Sequence, residues 1–245
     1  DFMKKMMMSQ PMLFWEMVNH AMTVNGVPAR DQSRLTDWAG LNIGPNQDLS
    51  KLSDSEKAGL ERAVFDGIMM MRDYGTQGFD SKNVNGWMYP APSIGRAGHT
   101  GNYMTRSALQ SMKGIVTNDA EEAMYLPIFK DQDDEVINGK HNYKIHFTKD
   151  QLPPAKEFWS LTAYDDDGNM ILNPIDRYMV SDRSEHLVYD SEGGLTLYVG
   201  AQLPEGNESN WLPAHAAATV LMFRLYGPTQ EVIDQNWVPP ALEKI

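Results

Sequence analysis

Eight polar and aromatic residues in the second half of the chain are of the types that line ligand-binding clefts. They are Trp159, Tyr164, Asn173, Arg177, Asn210, Trp211, Arg224 and Tyr226. In such a cleft, indole faces stack on a ring or a sugar, and guanidinium and amide groups bind its oxygen atoms. This interpretation predicts ligand contacts from six of the eight, namely Trp159, Asn173, Arg177, Asn210, Trp211 and Arg224.

The same residues also have a purely structural explanation. An unpaired buried charge is costly, so Arg177 and Arg224 would clamp loops by pairing with carboxylates or backbone carbonyls. The candidate carboxylates are those of Asp165 and Asp176. The tryptophans would fill the core, where large aromatic residues at strand positions usually lie. The strand positions favour this explanation, and the ligand-binding one stays open beside it.

Acidic runs and histidines give only weak signals for metal sites. Residues 165–169 (DDDGN) resemble a calcium loop, but they lack the bidentate glutamate and lie between predicted strands, which favours a solvated hairpin turn. Residues 131–135 (DQDDE) indicate a charged loop, with weak divalent-ion binding as the alternative. No histidine pair has H-x-x-x-H spacing, and His99, in a glycine-rich loop, is the best functional candidate among the six. We predict no metal and no cofactor.

Sequence motifs for nucleophilic and nucleotide chemistry are missing. There is no G-x-S-x-G elbow, P-loop or dinucleotide fingerprint, and Ser160 falls within a strand pattern. A carboxylate pair for glycoside hydrolysis would converge only in space, with Asp165, Asp176 and Glu122 as the candidates. No catalytic residue is assigned, and whether the chain is an enzyme stays open.

The composition is typical of a soluble globular protein and argues against a nucleic-acid partner. The 245 residues include 33 acidic and 21 basic side chains, and the formal net charge of -12 repels phosphate backbones. The absence of cysteine excludes disulfides, thiolate metal sites and a cysteine nucleophile. No apolar stretch approaches the roughly 20 residues that would span a bilayer.

The methionine-rich segment Phe2–Met22 bears on the cellular compartment. The chain opens at Asp1 without an initiator methionine, which indicates a processed or truncated product. With Lys4 and Lys5, the segment is similar to the tail of a signal region and would suit a periplasmic or secreted protein. Interruptions at Pro11 and Glu16 favour a helix that packs on the core instead, and the compartment stays open.

The elements that must position these residues are helical in the first half of the chain. Met12, Trp15, Val18 and Met22 recur at helical spacing. Ser53–Tyr74 is a helix that opens with a Ser53/Glu56 capping box, and Tyr103–Lys113 is another. Residues 76–98 are predicted to form a long ordered loop or an interdomain wrap, and residues 120–123 one further helical turn.

From residue 143 onward the hydrophobic period changes to two, which predicts antiparallel strands. The predicted strands are residues 143–147, 158–164, 170–172, 186–189, 195–199 and 217–226. Short strands joined by hairpins favour a sandwich or jelly roll over a parallel sheet.

Several of these blocks resemble the bacterial domain-of-unknown-function family 1214, which often follows another such domain, family 1254. The blocks are Tyr143…Phe147 with Leu152-Pro153-Pro154; Phe158-Trp159-Ser160-Leu161-Thr162-Ala163-Tyr164-Asp165; Asn173-Pro174…Arg177-Tyr178; Asn210-Trp211-Leu212-Pro213; and Arg224-Leu225-Tyr226-Gly227-Pro228 with Trp237…Pro239-Pro240. The resemblance implies a jelly-roll-like β-sandwich with a helical appendage, and it supplies no established activity.

These observations predict an α+β protein with a mostly helical region over residues 1–115 and an antiparallel, jelly-roll-like β-sandwich over residues 116–245. The first functional hypothesis is binding or hydrolysis of a small or sugar-like organic ligand in a cleft beside the sandwich. The alternative is a non-catalytic structural or protein-interaction module of a larger assembly, including a homo-oligomer, in which exposed thioethers of the N-terminal helix make the contacts.

Overall fold

The structure is a computed structural model that describes residues 9–112, 114, 116–202, 205–215 and 217–245. The chain separates into two compact units, Asp1–Tyr74 and Gly75–Ile245. Residues 2–8 of the predicted N-terminal helix and the last residue of the predicted helix Tyr103–Lys113 lie outside the described residues. The division predicted at residue 115 stays a prediction about domain organisation.

Helices dominate the first unit. Across the described residues the α-helices are α1 (Pro11–Asn25), α2 (Gln32–Trp38), α3 (Asp54–Thr76), α4 (Tyr103–Met112) and α5 (Gln230–Ile233), of which α4 and α5 belong to the second unit. Within these described ranges, no helix has the length and apolar character needed to cross a membrane.

The predicted helical spacing in α1 is confirmed by the packing of the first unit. Met12, Trp15, Val18 and Met22 of α1 pack against the buried side chains of Ile43, Leu49, Leu52 and Leu60. The capping box of α3 is also formed. Backbone N of Ser53 donates to Oε2 of Glu56 (2.8 Å) and backbone N of Glu56 donates to Oγ of Ser53 (3.3 Å), so each side chain satisfies a backbone N–H at the start of the helix.

Strands dominate the second unit. They are β1 (Lys82–Val84), β2 (Trp87–Tyr89), β3 (Ala123–Ile128), β4 (Tyr143–Phe147), β5 (Ala155–Tyr164), β6 (Met179–Ser181), β7 (Leu195–Gly200), β8 (Trp211–Pro213), β9 (Val220–Pro228) and β10 (Glu243–Lys244). One sheet has the order β1-β2-β3-β9-β5-β6 and is antiparallel throughout. The other has the order β10-β4-β7-β8, in which only β7 and β8 run parallel.

The two sheets share one hydrophobic core. Phe147 of β4 and Phe223 of β9 belong to the same buried cluster, with ring centroids 6.0 Å apart. Trp87 of β2 meets the same Phe223 ring edge-on at 5.9 Å. Apolar faces of two sheets buried against each other define a sandwich. The α+β class and the sandwich-like pair of sheets are therefore confirmed, whereas the jelly-roll connectivity stays a prediction.

One local prediction is wrong, and a second is confirmed only in part. The segment 76–98 was expected to be a loop, but it contains the β1–β2 hairpin, whose turn residues Asn85 and Gly86 have φ of 51° and 84°. Both values are positive, as a two-residue type I′ turn requires. At residues 120–123 a single turn is formed, in which the Asp119 carbonyl accepts from the backbone N–H groups of Glu122 (3.0 Å) and Ala123 (3.1 Å), but β3 already begins at Ala123.

Strand β9 positions the candidate site because it lies in the middle of the larger sheet, between β3 and β5. Its Leu221, Phe223 and Leu225 are fully buried in the core, as predicted from their alternation. The alternate residues, which include Arg224 and Tyr226, are half-buried and point to the opposite side of the sheet. We call this side of the six-stranded sheet the outer face.

Candidate functional site

The outer face carries a group of interacting polar and aromatic side chains, here called the outer-face cluster. Its members are Asn118, Tyr125, Tyr164, Arg224 and Tyr226. Three strands supply four of them, because the register places Tyr125 of β3 opposite Arg224 of β9, and β5 is the other neighbour of β9. The antiparallel pairing thus brings together residues that are up to 101 positions apart in the sequence.

Arg224 lies at the centre of the cluster. Its Nη2 donates a 2.9 Å hydrogen bond to the hydroxyl of Tyr164. Its guanidinium carbon lies 5.3 Å from the ring centroid of Tyr125 and 5.4 Å from that of Tyr164, within the range of cation–π attraction. The two rings and the hydroxyl hold the cation in a defined position on the sheet.

The arginine has no acidic partner in the part of the chain that the structure describes. Within those residues, no carboxylate lies within ion-pair distance of Arg224, and its described hydrogen bond goes to the hydroxyl of Tyr164. A half-buried guanidinium has five N–H donors, and a fork of two of them matches a carboxylate or a phosphate. The geometry is therefore suited to accepting an anion from outside.

Tyr125 and Tyr226 form a second polar pair in the cluster. Their hydroxyl oxygens are 3.1 Å apart, and Asn118 Nδ2 donates to the Tyr125 hydroxyl at 3.3 Å. Burial, together with the hydrogen bond to Tyr226, raises the pKa of Tyr125 to about 12. The phenol therefore keeps its proton at neutral pH and can donate a hydrogen bond.

The aromatic surface continues from the cluster towards the other end of β5. The ring of Phe158 stacks on Tyr226, with centroids 4.4 Å apart and an interplanar angle of 14°. The guanidinium carbon of Arg183 lies 4.3 Å from the Phe158 centroid. The outer face thus presents a row of rings with a guanidinium near each end.

Three of the predicted ligand contacts, Asn173, Arg177 and Trp211, are connected to one another by hydrogen bonds. None of the three is among the described partners of Arg224. Arg177 Nη1 donates to the backbone carbonyls of Glu208 and, at 3.1 Å, of Trp211. Asn173 Nδ2 donates to the Arg177 carbonyl at 2.8 Å, and Asn173 Oδ1 accepts from the Arg177 N–H at 3.0 Å. These contacts clamp loops in the way that the structural explanation expects.

The remaining predicted contacts, Asn210 and Trp159, are buried. Asn210 is 1% exposed and bonds to the backbone N–H and carbonyl of Val188 and to the carbonyl of Thr196. Trp159 belongs to the core and stacks on Phe223 at 5.6 Å. The structure does not bring the six predicted residues into one constellation, and their role as ligand contacts stays a prediction.

The acidic run 165–169 forms the hairpin turn that its sequence favours. Asp165 Oδ1 accepts from the backbone N–H groups of Asp167 (3.0 Å) and Asn169 (2.8 Å). The hydrogen bond from Asn169 is the main cause that lowers the pKa of Asp165. Across the described residues, no group of three or more His, Asp or Glu side chains is placed to hold a metal ion.

Sequence reasoning missed Tyr125 and Asn118. Tyr125 follows Met124 and precedes Leu126, and both of these neighbours are fully buried while Tyr125 is 37% exposed. This alternation is the signal that could have identified a half-buried strand. It was hidden because the preceding residues were assigned to a helical turn.

The similarity to one solved structure supports the fold. The chain is similar to the VPA0106 protein from Vibrio parahaemolyticus, with 20% identity and a TM-score of 0.63 over 88% of this chain and 51% of that one. A putative uncharacterized protein from Burkholderia cenocepacia is 12% identical with a TM-score of 0.40, covering 93% of this chain and 52% of its own. This chain therefore spans about half the length of both proteins.

No curated protein matches the chain. A family model described as a protein of unknown function, DUF1214, matches residues 122–230. This segment contains β3 to β9, and so it includes every strand that contributes to the outer-face cluster. The pairing with family 1254 stays a prediction. Over residues 122–230 the chain resembles the family of unknown function DUF1214, as its sequence blocks predict.

Proposed function

We propose that the outer-face cluster binds a small organic anion, in which a carboxylate or phosphate is attached to an aromatic or sugar-like ring. The observation that carries the proposal is Arg224, a half-buried cation without a carboxylate partner among the described residues. A bound anion would supply the charge-assisted hydrogen bonds that such a guanidinium otherwise lacks.

The neighbouring side chains fit the same ligand. The hydroxyls of Tyr125 and Tyr226 share one hydrogen bond, so one of their two protons remains to donate to the anionic group. The stacked rings of Tyr226 and Phe158 offer an apolar surface for the remainder of the molecule. The proposal covers binding alone, because the five side chains of the cluster include neither a carboxylate nor an imidazole for acid–base chemistry.

The test is isothermal titration with benzoate and phenyl phosphate, with benzyl alcohol as the neutral analogue. We expect saturable binding of both anions, weakened about tenfold or more in Arg224→Gln, since a hydrogen bond to a charged group contributes about 1.5–3 kcal/mol. Arg62→Gln is the matched control, because Arg62 is an exposed cation on α3. Equal affinity for benzyl alcohol, or unchanged benzoate binding in Arg224→Gln, would contradict the proposal.

A second candidate function is a non-catalytic protein-interaction module. Phe65 and Met69 are 47% and 46% exposed, and their spacing of four residues places them side by side on α3. Exposed apolar pairs of this kind suit a contact with another protein chain. Light scattering over a concentration series should then detect association of the unchanged protein. The double variant Phe65→Ser/Met69→Ser should lose this association. The control Leu172→Ser, at another exposed apolar position, should retain it. A monomer at every concentration would exclude self-association.

A further inference from the structure

Arg183 is a second guanidinium on the outer face. It follows β6 in the chain and is exposed. Its guanidinium carbon lies 4.3 Å from the ring centroid of Phe158, and this ring stacks on Tyr226. At the other end, the guanidinium carbon of Arg224 lies 5.3 Å from the centroid of Tyr125, whose hydroxyl meets that of Tyr226. The three rings thus form one continuous row, here called the aromatic row, with a cation at each end.

The hydrogen-bonding capacity of Arg183 is only partly used. Its Nη2 donates to the backbone carbonyl of Glu157 at 3.1 Å. Within the described ranges, no carboxylate lies within ion-pair distance of Arg183, not even that of Asp182 beside it in the chain. A cation–π contact occupies no hydrogen-bond acceptor, so further N–H donors of the guanidinium remain for other partners. Arg183 therefore matches Arg224 as a cation of the outer face without an acidic partner among the described residues.

The register of the sheet sets the distance between the two cations. Arg224 pairs with Ser160 of β5, and Ser160 pairs on its other side with Ser181 of β6, two residues before Arg183. The backbones of β6 and β9 are therefore two strand spacings apart, which is about 10 Å. The two guanidinium groups also contact different rings, so they do not converge on one point. A single carboxylate or phosphate is too small to contact both.

We propose that the outer-face cluster takes a dianion whose two anionic groups lie at opposite ends of an extended apolar body. Arg224 binds one group and Arg183 the other, and the body of the ligand lies along the aromatic row. The inference rests on the proposed function, because Arg224 must hold the first anionic group. It narrows the ligand class from organic anions in general to dianions about 10 Å long, of which biphenyl-4,4′-dicarboxylate is an example.

The test is isothermal titration of the full chain with a matched set of carboxylates. Biphenyl-4,4′-dicarboxylate and biphenyl-4-carboxylate differ in the second carboxylate alone, and terephthalate and benzoate form the same comparison on a single ring. On the biphenyl body we expect the second carboxylate to strengthen binding about fivefold or more, through charge-assisted hydrogen bonds to Arg183. On the shorter body it should bring no comparable gain, because terephthalate carries the same charge without spanning the row. An equal gain on both bodies would indicate general electrostatic attraction and overturn the inference.

Substitution of Arg183 tests the same point from the side of the protein. Arg183→Gln should lower the affinity for biphenyl-4,4′-dicarboxylate to that for biphenyl-4-carboxylate, and it should leave the affinity for the monocarboxylate unchanged. Because Arg183 is exposed, the variant should keep its fold. The control is Lys140→Gln, which removes one positive charge from an exposed turn before β4. Equal losses of dicarboxylate affinity in the two variants would contradict a specific role of Arg183.

The monocarboxylate distinguishes the role of Arg183 from that of Arg224. If biphenyl-4-carboxylate binds and Arg224→Gln weakens it, while the second carboxylate adds nothing, the cluster binds monoanions and only the role of Arg183 is wrong. If neither biphenyl acid binds, or both bind equally well to Arg224→Gln, the proposed function and the dianion fail together.

Discussion

Asn210, which belongs to one of the sequence blocks shared with family 1214, connects three backbone groups through hydrogen bonds of its side chain. Its amide donates to the carbonyls of Val188 (2.7 Å) and Thr196 (2.9 Å) and accepts from the N–H of Val188 (2.9 Å). One side chain thus ties the segment before β8 to β7 and to the segment that precedes it. No other residue type of this size offers two donors and an acceptor in one plane.

We expect Asn210→Ala to destabilise the protein by about 3 kcal/mol, because the change leaves several buried backbone groups without partners. Urea denaturation followed by tryptophan fluorescence measures the loss. Asn207→Ala is the control, since Asn207 lies in the same loop and its amide makes an exposed 3.2 Å bond to the Glu205 carbonyl. That variant should stay within about 0.5 kcal/mol of the unchanged protein. Equal stability of the Asn207 and Asn210 variants would show that the buried hydrogen bonds make no net contribution to the free energy of unfolding.

Residue types in the sequence predicted some members of the candidate site but not the contacts between them. Arg224 could be identified because an arginine within an apolar strand needs an explanation. Its contacts with Tyr125 and Tyr164 could not be, since they depend on which strands are neighbours in the sheet. Arg177, which lies outside the predicted strands, was an equal candidate from the sequence, yet its guanidinium donates to backbone carbonyls.

At the scale of elements, local signals predicted most of the helices and longer strands. The capping box of α3 and the 3.6-residue period of α1 depend on residues a few positions apart, so they are visible in the sequence. The alternation in β9 is likewise local, and it correctly separated the core side from the outer face. These elements are the ones for which intrinsic preference and tertiary packing agree.

The short strands were harder to predict for two different reasons. The β1–β2 hairpin has a strong local signal in Asn85-Gly86, which favours a two-residue turn, but its strands are only three residues long. Strand β8 has no such signal, because its parallel pairing with β7 depends on the distant segment Leu195–Gly200. The predicted strands at residues 170–172 and 186–189 form only single bridges, Tyr164↔Met170 and Tyr189↔Leu195.

At the scale of the whole molecule, each compact unit has its own buried cluster. The cluster of the second unit is large and draws its buried residues from between Trp87 and Leu242. The cluster of the first unit has a few buried side chains, from Ile43 to Leu60. Because small domains bury a smaller fraction of their surface, the second unit should be the more stable one when isolated.

We therefore expect the fragment Gly75–Ile245 to fold by itself, with a single cooperative urea transition and a native-like near-ultraviolet circular dichroism spectrum. A fragment of residues 116–245 is the comparison, because it ends at the same residue but lacks β1, β2 and α4. This shorter fragment loses Trp87 and Tyr89, both 0% exposed, and large aromatic deletions from a core cost about 3–5 kcal/mol each. It should therefore unfold without a cooperative transition. Equal cooperativity of the two fragments would place the boundary of the folding unit near residue 115, and failure of the longer one would show that the β unit depends on the helical residues before it.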